Sequence, residues 1–294
     1  MTAATLPVGR VVSAHGRHYV VRLDDGRELQ AFPRGKKSGI ACGDRVQLDL
    51  QGSDQARVAA ILPRTSLLYR KDAWKQKMVA ANVDLVAIVV ATEPSFSTEL
   101  VARILVACEA QHLRTLIVLN KCDLTASLAS ARAALQPLVD LGYAVQEMSA
   151  HEGADALRPH LQGVTGVLTG QSGMGKSTLI NALLPEARAA TREVSTALDS
   201  GKHTTTNARL YPLPGGGALI DSPGLQEFGL AQLSVSELEH AFPDFRPFLG
   251  QCRFRNCVHD SEPGCALRDQ VAPARLALYR TLRNEITSAA TQFY

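Results

Sequence analysis

Aromatic residues make up only 5% of the 294-residue chain, with a single tryptophan, and no apolar run approaches the length of a membrane span. A spanning helix needs ~20 such residues, so none is expected, and with it no membrane partner. The opening MTAATLPVGRVV lacks the apolar core of a signal peptide, which points to a cytoplasmic protein. A disulfide framework is also missing. Of six cysteines, Cys42, Cys108 and Cys122 stand singly, and Cys108 and Cys122 lie in apolar surroundings that suit inert buried thiols. Aromatics for base stacking are sparse in the N-terminal strands, where Tyr19 and Phe32 stand out. Any nucleic acid bound there is expected to be held by backbone and shape more than by its bases.

What is present is the composition of a globular protein, 46% hydrophobic and 20% charged. The length predicts about two or three domains. A net charge of +3 hides an asymmetry. Residues 1–80 carry 14 Lys and Arg against 7 Asp and Glu, while the remainder carries 17 against 21. The basic end suits a polyanionic partner. Here the sequence predicts short strands at 9–12, 19–23, 28–32, 44–50 and 57–62, with Asp24-Asp25-Gly26 as a hairpin turn. Five strands in about 70 residues suit an OB-fold barrel, with an SH3-like barrel as the structural alternative. The loop from Pro33 to Gly39 adds Arg34, Lys36 and Lys37, and Arg17, His18, Arg22 and Arg45 can extend that basic surface. Leu67 to Asn82 reads as a charged connector containing Lys71, Trp74, Lys75 and Lys77.

The stretch with the clearest chemistry is Gly170-Gln171-Ser172-Gly173-Met174-Gly175-Lys176-Ser177-Thr178, a full GxxxxGKS pattern. An apolar strand at 164–168 precedes it and a helix from Thr178 to Leu184 follows. In that context the glycines let backbone N–H groups wrap a diphosphate at a helix N-terminus. Lys176 reaches the β- and γ-phosphates, and the Ser177 hydroxyl ligates Mg2+.

Upstream, a nearly all-apolar strand (83–90), a helix (97–112) and a strand (115–119) lead into Asn120-Lys121-Cys122-Asp123. This fits NKxD, a guanine-reading motif. Asp123 accepts from the guanine N1–H and exocyclic amine, Asn120 braces the neighbouring loop, and the Lys121 stem lies over the ring. A helix (126–141) and a strand (143–148) then deliver Ser149-Ala150, whose backbone can also contact the base. Ser149 as a plain helix N-cap is the alternative. Downstream of the phosphate loop, residues 193–207 are polar and aperiodic, as a switch loop is, and end in Gly201-Lys202-His203-Thr204-Thr205-Thr206. Thr205 is a candidate Mg2+ ligand. Strands at 208–211 and 217–220 form a hairpin before Asp221-Ser222-Pro223-Gly224, where Asp221 would stand beside Mg2+ and the Gly224 N–H would touch the γ-phosphate. The base-reading motifs thus precede the phosphate loop, the reverse of the common order. This circular permutation is tolerated where termini lie close together at a surface.

Near the end, Cys252, Cys257, His259 and Cys265 place three thiols and an imidazole within 14 residues, the donor set of a closed structural Zn2+ site. Arg253, Arg255 and Arg268 surround it in the sequence and can touch RNA phosphate, and a closing helix is expected over 272–288.

Taken together, RGKKSGIACGDRV, AANVDLVAIVVATEPSFS, IVLNKCDL, GQSGMGKSTLINAL, GKHTTT, DSPG and CRFRNCVHDSEPGC resemble the ribosome small-subunit-dependent GTPase A family (RsgA, also called YjeQ) over nearly the whole chain. Met174 stands where the family often has valine, and the tail after Tyr279 lacks a marked basic extension. The resemblance implies an α/β protein in three parts: an OB-fold RNA-binding domain (1–68), a circularly permuted GTPase domain (69–229) and a zinc-binding helical domain (230–294). It implies a GTP/GDP cycle with Mg2+, one structural Zn2+, and hydrolysis stimulated by the small ribosomal subunit during late assembly. Subunit rRNA and other assembly factors are the implied partners of a monomer. Leu225 follows Gly224 where common GTPases carry a water-orienting glutamine, so unaided hydrolysis is expected to be slow. His203 is the internal candidate for positioning water, and the resemblance points the same way. Three other readings compete: a nucleic-acid-binding scaffold with GTP as a structural ligand, an ATP-using P-loop enzyme such as a kinase, and a zinc hydrolase. Asn120 and Asp123 argue against the second, and a metal site already filled by four protein ligands argues against the third.

Overall fold

The computed structural model describes residues 6–15, 18–35, 39–70, 77–184, 208–222, 228–230 and 232–291. Arg17, Lys36, Lys37, Lys71, Trp74 and Lys75 lie outside the described residues. So do the switch segment with His203, Thr204, Thr205 and Thr206, and the step from Pro223 through Gly224 to Leu225.

Alternating side chains build the N-terminal barrel. Strands β1 (Val8–His15), β2 (His18–Leu23), β3 (Glu28–Pro33), β4 (Arg45–Leu50) and β5 (Gln55–Ile61) bury every second residue over much of their length. Val11, Tyr19, Val21, Leu29, Val46, Leu48 and Val58 fill the interior. Antiparallel pairs join β1 to β2, β2 to β3, β5 to β4 and β4 back to β1, while β3 pairs parallel with β5. The ring therefore closes in the order 1-2-3-5-4, an OB-like barrel without free edges.

The stretch expected as a connector is instead a hairpin, β6 (Leu67–Arg70) with β7 (Lys77–Ala81). Leu68, Ala80 and Ala81 are fully buried. Of the charges that gave this stretch its connector-like composition, Lys71 and Lys75 fall between the two strands and Lys77 opens the second, while the strands themselves are too short for a clear period.

Next come β8 (Leu85–Ala91), α1 (Thr98–Glu109), β9 (Arg114–Asn120), α2 (Leu128–Asp140), β10 (Val145–Glu147), α3 (Arg158–Leu161), β11 (Thr165–Thr169), α4 (Lys176–Leu183), β12 (Arg209–Pro212) and β13 (Ala218–Asp221). Their sheet runs β10-β9-β8-β11-β13-β12, parallel except for β12. Every residue of β8 is buried. Val86, Ile88 and Val90 face a core shared with α1 and α2, whereas Leu85, Ala87 and Val89 join one built on α3 and α4. Helices cover both faces, as a parallel sheet requires. The barrel continues this sheet through the Ser13–Arg209 pair of β1 and β12, and Arg10 Nη2 donates to Thr165 Oγ1 at 2.6 Å.

After β13, α5 (Val235–His240) starts on a capping box, with the Ser234 hydroxyl accepting from Glu237 N and the Glu237 carboxylate accepting from Ser234 N. It is followed by α6 (Ala266–Gln270) and the long closing α7 (Pro273–Thr291). Phe242 stacks on Phe245 and both meet Tyr279 edge-on, which gives this region an aromatic core. The Arg103–Glu285 and Arg246–Glu109 ion pairs fasten it to α1.

Between β3 and β4, Asp44 is fully buried and accepts from Ala41 N and, through both carboxylate oxygens, from Arg64 at 2.7 Å. Removing one partner of such a pair strands the other, at about 3–5 kcal/mol. Asp44→Ala is expected to lower the unfolding free energy by that order, read from the denaturant midpoint. An unchanged midpoint would show that the pair does not hold the barrel.

Candidate functional site

Three loops converge where the parallel strands end, the usual place for ligands in an open α/β sheet. β9 finishes at Asn120, in register with Ala91 of β8. β11 lies between β8 and β13 and runs into Gly170. Asp221 closes β13, one residue beyond the Val167–Ile220 pair.

Asn120 is 1% exposed, and both ends of its carboxamide are used. Its Nδ2 donates to Met174 O in the phosphate loop, and its Oδ1 accepts from Ala150 N, each at 2.9 Å. One side chain therefore fixes the spacing between the Gly170–Thr178 loop and the Ser149–Ala150 loop. The glycines follow from this packing. A Cβ on Gly175 (φ +93°) would lie 2.2 Å from Asn120 Nδ2, and one on Gly170 (φ +132°) 2.2 Å from Val89 O. Met174 is buried beneath the loop, while Ser172 and Gly173 are exposed and Thr178 half-buried in the first turn of α4. Lys176 Nζ donates to Gly170 O at 2.6 Å and to Gln171 O, and burial pushes its ammonium pKa down. A phosphate beside it would offset that shift by its opposite charge. Ser177 is exposed at the start of α4.

Lys121 sits at φ +61°, where the chain turns sharply off β9. Its Nζ donates to Glu93 O at 2.7 Å, and its own carbonyl accepts from Thr92 Oγ1 at 2.8 Å. Asp123 is exposed. Its carboxyl is held below the usual range, first by the Ser149 hydroxyl, with smaller help from His151 and Lys121. Ser149 Oγ is buried and makes no hydrogen bond of ordinary geometry. Two features escaped sequence reading. The 92–97 loop closes over this corner, and Gln171 Oε1 accepts from Ser97 N at 2.7 Å, tying the phosphate loop to the N-cap of α1. No motif marks either contact, because both join segments far apart in sequence.

A second cluster lies in the C-terminal region. The donor atoms of Cys252, Cys257, His259 and Cys265 all fall within 4.8 Å of one another. His259 Nδ1 stands 3.5, 3.6 and 3.4 Å from the three Sγ atoms in turn. A tetrahedral ion with Zn–S of ~2.3 Å and Zn–N of ~2.0–2.1 Å would set N···S near ~3.6 Å, so the residues fit zinc. Behind them, His259 Nε2 is 3.4 Å from Glu239 Oε1, and Glu239 also accepts from Tyr279 OH. The bond to Glu239 raises the imidazole pKa to about 9, the added basicity that an outer carboxylate gives a ligating histidine. Glu239 belongs to α5, 20 residues upstream of His259, which hid it from the sequence pattern.

A sequence model described as RsgA GTPase matches residues 61–231, more than half of the chain. A protein of Paraburkholderia phytofirmans named small ribosomal subunit biogenesis GTPase RsgA is 55% identical, over 94% of this chain and 92% of that relative. A Burkholderia pseudomallei protein of the same name is 54% identical over 94% and 91%. Among solved structures, YjeQ from Thermotoga maritima superposes with a TM-score of 0.72 at 28% identity, covering 96% of this chain and 98% of that one. YloQ, titled a circularly permuted GTPase, gives 0.69 at 28% identity, with 96% of both chains covered.

Asn120→Ala leaves Met174 O and Ala150 N without their partner. At about 1–3 kcal/mol for each stranded group, a loss of roughly 2–6 kcal/mol in unfolding free energy is expected, and a loss below 0.5 kcal/mol would show that the two loops hold themselves. For the second cluster, one equivalent of zinc is expected by elemental analysis of the purified chain. Cys265→Ser, or a strong chelator, should remove it and raise hydrogen exchange in 252–265 while that of β8 and β9 stays unchanged. Full protection after metal removal would rule out a metal-dependent fold.

Proposed function

The chain belongs to the RsgA GTPase family, and from that premise we propose that it hydrolyses GTP in the service of small-ribosomal-subunit assembly. The observation that carries this reading is the two-ended Asn120 bond, which fixes a base-side loop and a phosphate loop in one frame. Asp123, exposed and ionised, accepts from the guanine N1–H and 2-amino groups. Adenine offers neither, and a buried mismatch is strongly rejected. Ser149 and Ala150 bound the base, with the Lys121 stem beside it. The backbone N–H groups of Gly170 to Thr178, at the N-terminus of α4, receive the phosphates, and Lys176 leaves its loop carbonyls for their oxygens. Ser177, Thr205 and Asp221 would hold Mg2+, which when bound neutralises charge on the β- and γ-phosphates.

In the reaction, water adds to the γ-phosphorus as the bond to the β-phosphate oxygen breaks, giving GDP and phosphate. The Gly224 N–H contacts the γ-phosphate, and His203 positions the water that apolar Leu225 cannot hold. Slow intrinsic turnover follows, with the small subunit placing His203 against the attacking water. The barrel (1–68) meets rRNA by charge and shape, the central part (69–229) binds nucleotide, and the C-terminal part (230–294) is braced by one Zn2+. The protein acts as a monomer, beside other assembly factors on the subunit.

Multiple-turnover hydrolysis with and without purified small subunits tests this. Stimulation by at least about tenfold is expected, below a ceiling of the ~10³–10⁵ that such supplied groups can give. Its absence would leave a GTP-bound scaffold. His203→Ala should abolish the stimulated part and keep GTP affinity within about twofold. Wild-type stimulated rates in that variant would remove His203 from the mechanism.

A further inference from the structure

The metal-centred turn displays a side chain that neither the nucleotide site nor the metal site uses. Phe254 is 42% exposed, the second most exposed of the large apolar side chains among the described residues. It lies between Arg253 and Arg255, and the Arg253 guanidinium sits over its ring, 5.5 Å from the centroid. A single exposed aromatic needs no explanation by itself, but this one is held in place. Cys252 and Cys257 bracket it, Cys257 N donates to Phe254 O at 3.2 Å, and Arg253 N donates to Gly264 O at 3.0 Å. Gly264 (φ +73°) makes room for that contact, since a Cβ there would press to 3.0 Å against Arg253 Cβ.

The local charge is also unbalanced. Both carboxylate oxygens of Glu262 accept from backbone, at Val258 N and Asp260 N, and Asp260 pairs with Arg280. Neither Arg253 nor Arg255 has an ion-pair partner among the described residues. Two cations therefore flank an aromatic face on a turn that costs little to order. Such a surface fits a chain that alternates flat π-faces with negative charges.

We infer that Arg253, Phe254 and Arg255 form a stacking platform for an unpaired base of single-stranded RNA, with the two guanidiniums on its flanking phosphates. The inference rests on the ribosomal reading above, and it narrows the partner of the C-terminal region to unpaired rather than duplex RNA. Duplex bases are already stacked on one another and cannot lie on Phe254.

The test uses the full zinc-loaded chain and a fluorescein-labelled, unstructured RNA dodecamer, read by anisotropy beside the same sequence as a duplex. Phe254→Ala is expected to bind the single strand about 5- to 150-fold more weakly, the range for loss of one stacked base, with an unchanged salt slope. Phe254→Tyr should restore binding. Arg255→Ala should lower the logarithmic salt slope by about 0.7, the value for one phosphate on a single strand. Zinc content and the unfolding midpoint of each variant separate loss of the platform from loss of the fold. Single-strand affinity of Phe254→Ala equal to wild type, with zinc retained, would overturn the platform. So would binding to vesicles of phosphatidylcholine and phosphatidylglycerol that needs Phe254 while RNA binding does not. Small subunits added to the wild-type chain keep the two ideas distinct. Missing GTPase stimulation with Phe254-dependent RNA binding would overturn the assembly function and support the platform.

Discussion

One buried carboxamide sets the geometry on which the nucleotide site depends. Asn120 ends a parallel strand and spends its amide on the phosphate loop and its carbonyl on the Ser149–Ala150 loop. Each bond adds only about 1 kcal/mol net, but leaving either partner unmade costs more, so the spacing between the two loops is held by a penalty for departure. This changes how the loop glycines are understood. Phosphate binding alone would account for an open backbone at Gly175. The structure adds that a methyl group there would collide with the Asn120 amide. Gly175 and Asn120 thus form one packing unit, although 54 residues separate them.

The permuted chain order makes sense in the same terms. Sheet neighbours, not chain neighbours, define the site. β11 occupies the middle with β8 on one side and β13 on the other, and that arrangement survives wherever the chain is opened. Permutation alters what each end is attached to. Residues after β13 now lead out of the sheet, and Gly229 N donates to Tyr69 O on the β6–β7 hairpin. The chain leaving β13 is therefore bonded to the hairpin that follows the barrel.

How far the sequence carried the reading depends on the range of each signal. The barrel strands, the sheet strands and the phosphate loop were legible because period-two burial, continuous apolar runs and the glycine pattern are local. Cys252, Cys257, His259 and Cys265 were legible because soft donors at short spacing have few other uses. The β6–β7 hairpin was not, since four- and five-residue strands around a charged tip show no period. Glu239 behind His259, Glu93 behind Lys121 and Ser97 behind Gln171 were not, since each reaches its partner through the fold alone. For Asn120 the motif suggested a brace to a neighbouring loop, and only the coordinates show that it reaches two.

Helix α1 joins these observations into one mechanical statement. At its N-cap, Ser97 N donates to Gln171 of the phosphate loop, and the Ser97 hydroxyl caps the helix by accepting from Leu100 N. At its other end, Glu109 accepts from Arg246 and from Tyr143, and midway Arg103 pairs with Glu285 of α7. Twelve helical residues span about 18 Å, and from Val101 to Cys108 all but Arg103 are buried, so the helix moves as a rod or not at all. A shift of the phosphate loop therefore reaches the C-terminal region through the contacts of α1, beside the covalent connection after β13. A metal held by Cys252, Cys257, His259 and Cys265 would then have a mechanical purpose, since a C-terminal region pulled through Arg246 and Glu285 can transmit displacement only if its own turns are held stiff.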